Sequence, residues 1–138
     1  MKTIYVEKKS PAEKLNKNAP GAQFKYLKDA KRTEGKVFIL TDADPHGWME
    51  FKKAKKKNKK AVFLGLRGAH FEKFEKVTIK LSGYEKKTLR KMLRDPFFKG
   101  RNWQKQIKYL LSYGRKIELE GWMYSGLSAK RKTLLAVR

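Results

Sequence analysis

Val37-Phe-Ile-Leu-Thr-Asp-Ala-Asp-Pro-His-Gly-Trp48 is the stretch that decides the fold. Its four leading apolar residues are enough for a buried strand, and Pro45 and Gly47 supply the bounding turn that such a run needs. The strand delivers Asp42 and Asp44 at its C-terminal end. Two carboxylates at i and i+2 are oriented alike, so both can face one cation. In open α/β sheets the ligand site lies off the carboxyl ends of the strands. An Asp-x-Asp pair there suits Mg²⁺, which takes hard oxygen ligands and few carboxylates. The plainer alternative is a turn, because Asp, Pro and Gly are common turn residues, and the spacing alone does not separate the two.

Working outward, Thr3 to Val6 is a short β-prone run that ends on Glu7. Glu7 then sits at a strand end, unless it is a surface glutamate among lysines. Ser10-Pro11-Ala12-Glu13 carries a helix start, with Ser as N-cap and Pro at the first helical position; this helix ends near Asn18-Ala-Pro-Gly21. Gln23 to Arg32 reads as a second helix on the spacing of Phe24, Leu27 and Ala30, closed by Gly35. After Trp48 the spacing predicts a helix to about Lys57, with Trp48, Met49, Phe51 and Ala54 inward. Ala61-Val-Phe-Leu-Gly65 is a third buried strand, so strand, helix, strand form a parallel βαβ unit. Val77 to Leu81 alternates as an edge strand. Tyr84 to Arg94 is helical and stops at Asp95-Pro96. Asn102 caps a last helix with Trp103, Ile107, Leu110 and Leu111 on one face, ended by Gly114. Ile117 to Gly121 stays ambiguous; pairing with Arg115 or Lys116 is the simplest account of Glu118 and Glu120. Ser125 or Ser128 offers a cap to a basic C-terminal segment.

Charge narrows the partners. There are 36 lysines and arginines against 13 acidic residues, a net charge of +23. Such an excess repels itself in a compact chain and favours a polyanion. Nucleic acid is the first candidate and an anionic membrane the second, but no amphipathic stretch is apolar enough to prefer the membrane. No run approaches the roughly 20 apolar residues of a spanning helix, and the N-terminus lacks a signal-peptide core. The expectation is an intracellular protein of the cytoplasm or nucleoid. With no cysteine there is no disulfide or thiolate metal site, and two histidines, His46 and His70, leave little for zinc or a Ser-His-Asp set. Lys52, Lys53, Lys55, Lys56, Lys57, Lys59 and Lys60, with Arg67, are candidate phosphate contacts, against the plain alternative of a solvated face. Lysine heads lack the fork of arginine, so contact with DNA is expected to be largely independent of sequence. The three tryptophans read as core residues rather than base-stacking platforms. The length of 138 residues fits one domain, here residues 1–138 with a basic C-terminal extension.

Glu7, Asp42 and Asp44 all fall at predicted strand ends on one side of one sheet. Three carboxylates there can surround one or two divalent ions, and such ions polarise phosphodiesters. At this point the residues resemble a family. Ile4-Tyr-Val-Glu7 and Leu40-Thr-Asp-Ala-Asp-Pro-His-Gly-Trp48 resemble the Toprim domain of the topoisomerase VI A subunit, shared with the meiotic double-strand-break proteins. Met92-Leu-Arg-Asp-Pro-Phe-Phe-Lys99, Trp103-Gln-Lys-Gln-Ile107 and Tyr113-Gly-Arg-Lys-Ile-Glu-Leu-Glu120 continue the likeness in order. It covers nearly all of 36–128 and the first 35 residues more loosely.

The resemblance implies a Toprim-like parallel sheet of about four strands between helices, with a C-terminal helical extension. It implies that Glu7, Asp42 and Asp44 are the catalytic carboxylates and bind Mg²⁺, with Mn²⁺ as a substitute. Two departures accompany it. The stretch between Glu7 and Asp42 is too short for the family's second strand plus its Gly-x-Pro-Ser-Arg-like segment. The family also carries its catalytic tyrosine in an upstream winged-helix domain, which is expected to be absent here. The expectation is therefore a stand-alone, minimised form of the topoisomerase VI A chain, of archaeal or mobile-element type, that binds duplex DNA and Mg²⁺. A homodimer and a partner supplying tyrosine or ATPase function follow from the same resemblance. Two further readings compete: a metal-dependent nuclease using water as nucleophile, and a non-enzymatic basic DNA-binding protein.

Overall fold

Lys2–Val6 forms strand β1, in which Ile4 and Val6 are buried on one face and Tyr5 packs on the other. The structure is a computed structural model and describes residues 2–18, 22–30, 33–64 and 75–119. Helix α1 (Lys9–Asn18) follows, burying Ala12 and Leu15. It begins one residue ahead of Ser10, so Ser10 and Pro11 lie inside the first turn rather than at the cap and first position. A proline there loses no hydrogen bond, because first-turn N–H groups have no helical acceptor.

Strand β2 (Ala22–Tyr26) replaces the helix expected over Gln23–Arg32. Phe24 is buried between exposed Gln23 and Lys25, a period of two. Its ladder runs parallel to β1, with Ile4 opposite Phe24 and Val6 opposite Tyr26. The outer edge at Phe24 is occupied by Asn16 of α1, whose amide donates to the Phe24 carbonyl at 2.5 Å and accepts from its N–H at 2.8 Å. That clamp satisfies backbone groups an edge strand otherwise leaves open. Among the described residues of that span only Leu27–Asp29 coils, as one 3₁₀ turn. The span before Asp42 therefore does hold a second strand, where the expectation was that it is too short for such a strand together with the Gly-x-Pro-Ser-Arg-like segment.

Strand β3 (Phe38–Leu40) pairs parallel with β1 on its other side. Helix α2 (Pro45–Lys57) and strand β4 (Val62–Phe63) complete the second crossover. Pro45 and Gly47 lie in the first turn of α2, which starts three residues earlier than expected. The sheet order is β2-β1-β3-β4, all parallel. The two crossovers leave β1 and β3 in opposite directions across the sheet, so the order reverses between these central strands. Right-handed crossovers then put α1 and α2 on opposite faces. Accordingly Leu15 of α1 joins Ile4, Val6 and Leu40 in one core layer, while Phe51 of α2 joins Ile39 and Val37 in the other.

The rest of the described chain thickens the first layer, with Phe97 and Trp103 also packing against the second. Strand β5 (Thr78–Lys80) pairs antiparallel with β6 (Arg115–Ile117) in a separate two-stranded sheet, rather than at the edge of the main one. Helix α3 (Gly83–Met92) is started by a capping box between Ser82 and Glu85. Helix α4 (Arg101–Tyr113) has Gly100 at its cap with no side-chain bond, so Asn102 is a helical residue and not the cap. Gly114 ends α4 at φ 73°, and its N–H reaches Leu110 at 2.8 Å. Leu89, Met92, Ile107 and Leu110 are all buried against the sheet's first layer. Among the described residues no helix is long and apolar enough to cross a membrane.

Candidate metal centre

The reversal of strand order between β1 and β3 opens a crevice at their carboxyl ends, where open α/β sheets bind ligands. Glu7 lies one residue past β1, and its N–H continues the ladder to the Leu40 carbonyl at 2.9 Å. Asp42 and Asp44 lie two and four residues past β3. The three side chains are buried and each offers an oxygen, all within 4.8 Å of one another.

Each carboxylate is held by its own partner. Glu7 Oε1 accepts from the Asp42 N–H at 3.1 Å. Asp42 Oδ1 accepts from the Leu119 N–H at 2.7 Å, and its Oδ2 pairs with Lys8 Nζ at 2.8 Å. Asp44 is the N-cap of α2, its Oδ1 accepting from the Gly47 N–H at 2.6 Å. The loop between the aspartates is pinned where the Ala43 N–H donates to the Ile117 carbonyl at 2.9 Å. One oxygen is left over: Glu7 Oε2 is buried and finds no hydrogen-bond partner among the described residues.

Electrostatics agree with the geometry. Burial, then the neighbouring Asp42 and Asp44, push the Glu7 carboxyl up to about 8. Burial, then Asp44, push Asp42 up to about 6 despite Lys8 and the Leu119 N–H. Burial raises Asp44 as well, opposed by the Gly47 N–H and by Lys116. Three carboxyls this close and this dry do not all ionise unaided. A divalent cation would remove that penalty, and an all-oxygen donor set suits a hard ion. Glu7 Oε2, buried with no hydrogen-bond partner among the described residues and close to the oxygens of Asp42 and Asp44, fits such an ion.

Gly47 is part of the site for a steric reason. A Cβ there would lie 2.7 Å from the Asp42 carbonyl oxygen and 2.8 Å from Glu7 Oε1. Only glycine lets the first turn of α2 close over the carboxylates. Reading the sequence did not assign this role to Gly47, nor a role to Lys8. The signals were present: a glycine at the third position of a helix, and a lysine directly after the strand-end glutamate.

The lysine run is not at this site. It occupies the C-terminal half of α2 and the turn into β4, at the opposite end of the sheet from the carboxylates. Lys52 is bonded to Asp95, Lys53 reaches Glu50 at 3.3 Å, and Lys55 Nζ donates to the Ala61 carbonyl at 2.8 Å. Lys56, Lys57, Lys59 and Lys60 are exposed. Arg67, His70, Glu120, Ser125 and Ser128 lie outside the described residues. Glu118 pairs with Lys116 at 3.6 Å, as its position suggested. Trp48 is core, 1% exposed, and Trp103 packs edge-on to it within an aromatic cluster.

Comparison with protein families decides the lineage. The family of the Topoisomerase 6 A-subunit/Spo11 Toprim domain matches residues 25–137. The chain belongs to this Toprim family. The match includes Asp42 and Asp44 but begins after Glu7, so it is the parallel pairing of β1 with β3 that brings Glu7 to the pair. No curated protein matches the chain. A Toprim domain of this family supports a DNA-processing, metal-binding role, and the buried acidic triad is where this Toprim chain could hold a divalent ion.

Proposed function

We propose that this Toprim chain holds Mg²⁺ or Mn²⁺ between Glu7, Asp42 and Asp44 while binding duplex DNA without regard to sequence. In this reading it acts as one domain, a type IIB topoisomerase A-subunit-like module, beside a partner that supplies the attacking tyrosine. The supporting observation is Glu7 Oε2, buried and unpartnered among the described residues, in a cluster of three carboxylates. The ion, when bound, supplies Lewis-acid stabilisation of charge on a phosphodiester oxygen. The chain's own residues do the positioning. The Asp42 N–H orients Glu7, Lys8 and the Leu119 N–H orient Asp42, and the first turn of α2 orients Asp44. The net charge of +23 draws the polyanion in.

A supercoiled-plasmid assay with Mg²⁺ or Mn²⁺, run beside a gel shift, tests the reading. The wild type is compared with Asp42→Ala/Asp44→Ala, each quenched with and without protease. The expected result is an intact plasmid and a gel shift that Mg²⁺ strengthens in the wild type only. Nicked DNA with free ends would replace the reading by a hydrolytic nuclease. Ends freed only by protease would mean a nucleophilic tyrosine within this chain, and Tyr26, which lines the same hollow as Glu7, is the first to replace by Phe. A gel shift equal in both proteins and indifferent to Mg²⁺ would leave only a basic DNA-binding protein.

A further inference from the structure

A groove leads away from the carboxylates along one face of α2. At the site end, a hollow of about 190 Å³ is lined by Glu7, Lys8, Lys9, Tyr26 and His46. It shares Leu27, Lys28 and Glu50 with a larger hollow of about 490 Å³, which continues past Thr33 and Lys53 to Lys57. The α2 wall is made by His46, Glu50, Lys53 with Ala54, and Lys57, successive positions three or four apart and thus one stripe of the helix. Lys52 and Lys55 do not line it; they are turned to Asp95 and to the Ala61 carbonyl.

Resting on the reading above, we infer that this groove is the track of a nucleic-acid phosphate backbone running from the metal centre to the C-terminal end of α2, held by Lys28, Lys53 and Lys57. The charge suits that occupant. Lys8 and Lys9 stand at the mouth and three further lysines along the walls, against Glu7 in the metal cluster and Glu50 among the lining acids. Lys28, Lys53 and Lys57 are exposed to solvent, so their ammonium groups can exchange water for phosphate oxygens without burying a charge. The length suits it too. From His46 to Lys57 the helix rises about 17 Å, long enough for several successive phosphates of one strand to lie along the groove. The track also explains how lysines at the far end of the sheet can serve a site at the near end.

Lys28→Ala/Lys53→Ala/Lys57→Ala is compared with Lys87→Ala/Lys91→Ala/Lys108→Ala, which removes the same charge from exposed positions on α3 and α4. Binding of a labelled duplex and of the corresponding single strand is measured against salt concentration, with thermal melts as the folding check. The groove variant is expected to bind at least tenfold more weakly, and its slope of log K against log salt to fall by about 2 to 3 on duplex, from roughly 0.9 per lost phosphate contact. The control is expected to keep its slope within about 1 of the wild type. Equal losses in the two variants, with wild-type binding intact, would overturn the track and leave the metal-dependent reading standing. No binding by the wild type would overturn both. Loss confined to the single strand would keep the track and assign it to an opened strand rather than a duplex. Because Lys53 holds Glu50, Lys28→Ala/Lys57→Ala replaces the triple variant if the latter melts early, with an expected slope change of about 2.

Discussion

At the scale of single residues, the centre is a balance of uncompensated negative charge. Folding takes Glu7 and Asp42 from their ordinary values of 4.5 and 3.8 up to about 8 and about 6. A carboxyl whose pKa rises on folding binds its proton more tightly in the native state. Its contribution to stability is therefore full at low pH and is lost as pH rises through the folded pKa. Without metal, the melting temperature is expected to fall between about pH 4 and pH 8 on account of these two groups. A divalent ion must displace the same protons, so Mg²⁺ affinity should climb across this window, by up to about tenfold per pH unit for each proton released. Titration calorimetry in two buffers of different ionisation enthalpy reads that release directly; pH-independent affinity would mean that the carboxyls are already ionised. Gly47→Ala tests the close approach over the site. Its Cβ has 2.7 Å to the Asp42 carbonyl oxygen and 2.8 Å to Glu7 Oε1, so either the helix or the glutamate must move. Metal binding is expected to weaken at least tenfold while the melt stays cooperative, and Mn²⁺ binding followed by electron paramagnetic resonance checks it. Asp42 and Asp44 were legible in the sequence because a strand end and a helix start leave a local signature. Gly47 was not, because the atoms that forbid its side chain include a glutamate 40 positions upstream in the chain.

At the scale of elements, what was legible depended on whether the deciding contacts were local. Val37 to Leu40 reads as a strand on its own, and β3 forms there. Ala22–Tyr26 offered two patterns at once. Phe24, Leu27 and Ala30 recur at three, as on a helix, while Ala22, Phe24 and Tyr26 alternate with Gln23 and Lys25, as on a strand. The choice was made by β1, which pairs along all five residues, and by Asn16, which closes the outer edge at Phe24. Neither contact shows in a local window. The same holds for α4, whose attachment depends on Trp103. That ring lies 4.9 Å from Phe63 of β4, 5.9 Å from Phe51 and 5.6 Å from Trp48 of α2, and 5.1 Å from Phe98. Aromatic pairs of this kind contribute beyond the area they bury. Trp103→Ala is expected to cost about 3 kcal/mol, the low end for a large aromatic because the ring is only half-buried. Urea unfolding measures it. A loss under about 1 kcal/mol would mean that α4 is held by Ile107 and Leu110 alone.

At the scale of the whole molecule, one quantity acts on folding and on binding with opposite sign. A net charge of +23 on 138 residues repels itself in the native state, and the acidic residues that could relieve it include three committed to the buried centre. Salt screens that repulsion, since the Debye length falls from about 30 Å at 0.01 M to about 8 Å at 0.15 M. Stability of the free protein should therefore rise as NaCl is raised over this range. A phosphate backbone relieves the same repulsion more effectively, because it brings fixed negative charge to the lysines and releases condensed counterions. Affinity for DNA should therefore fall over the range in which stability rises. The two trends meet in the complex. At low salt the DNA-bound protein should melt well above the free protein, because a ligand of the native state adds to its stability. That gap should close as salt weakens binding. Differential scanning fluorimetry with and without a short duplex, across a NaCl series, shows both curves in one experiment. A gap that is constant with salt would mean that the contacts with DNA are mainly non-ionic, and the excess of lysine would then need a different partner.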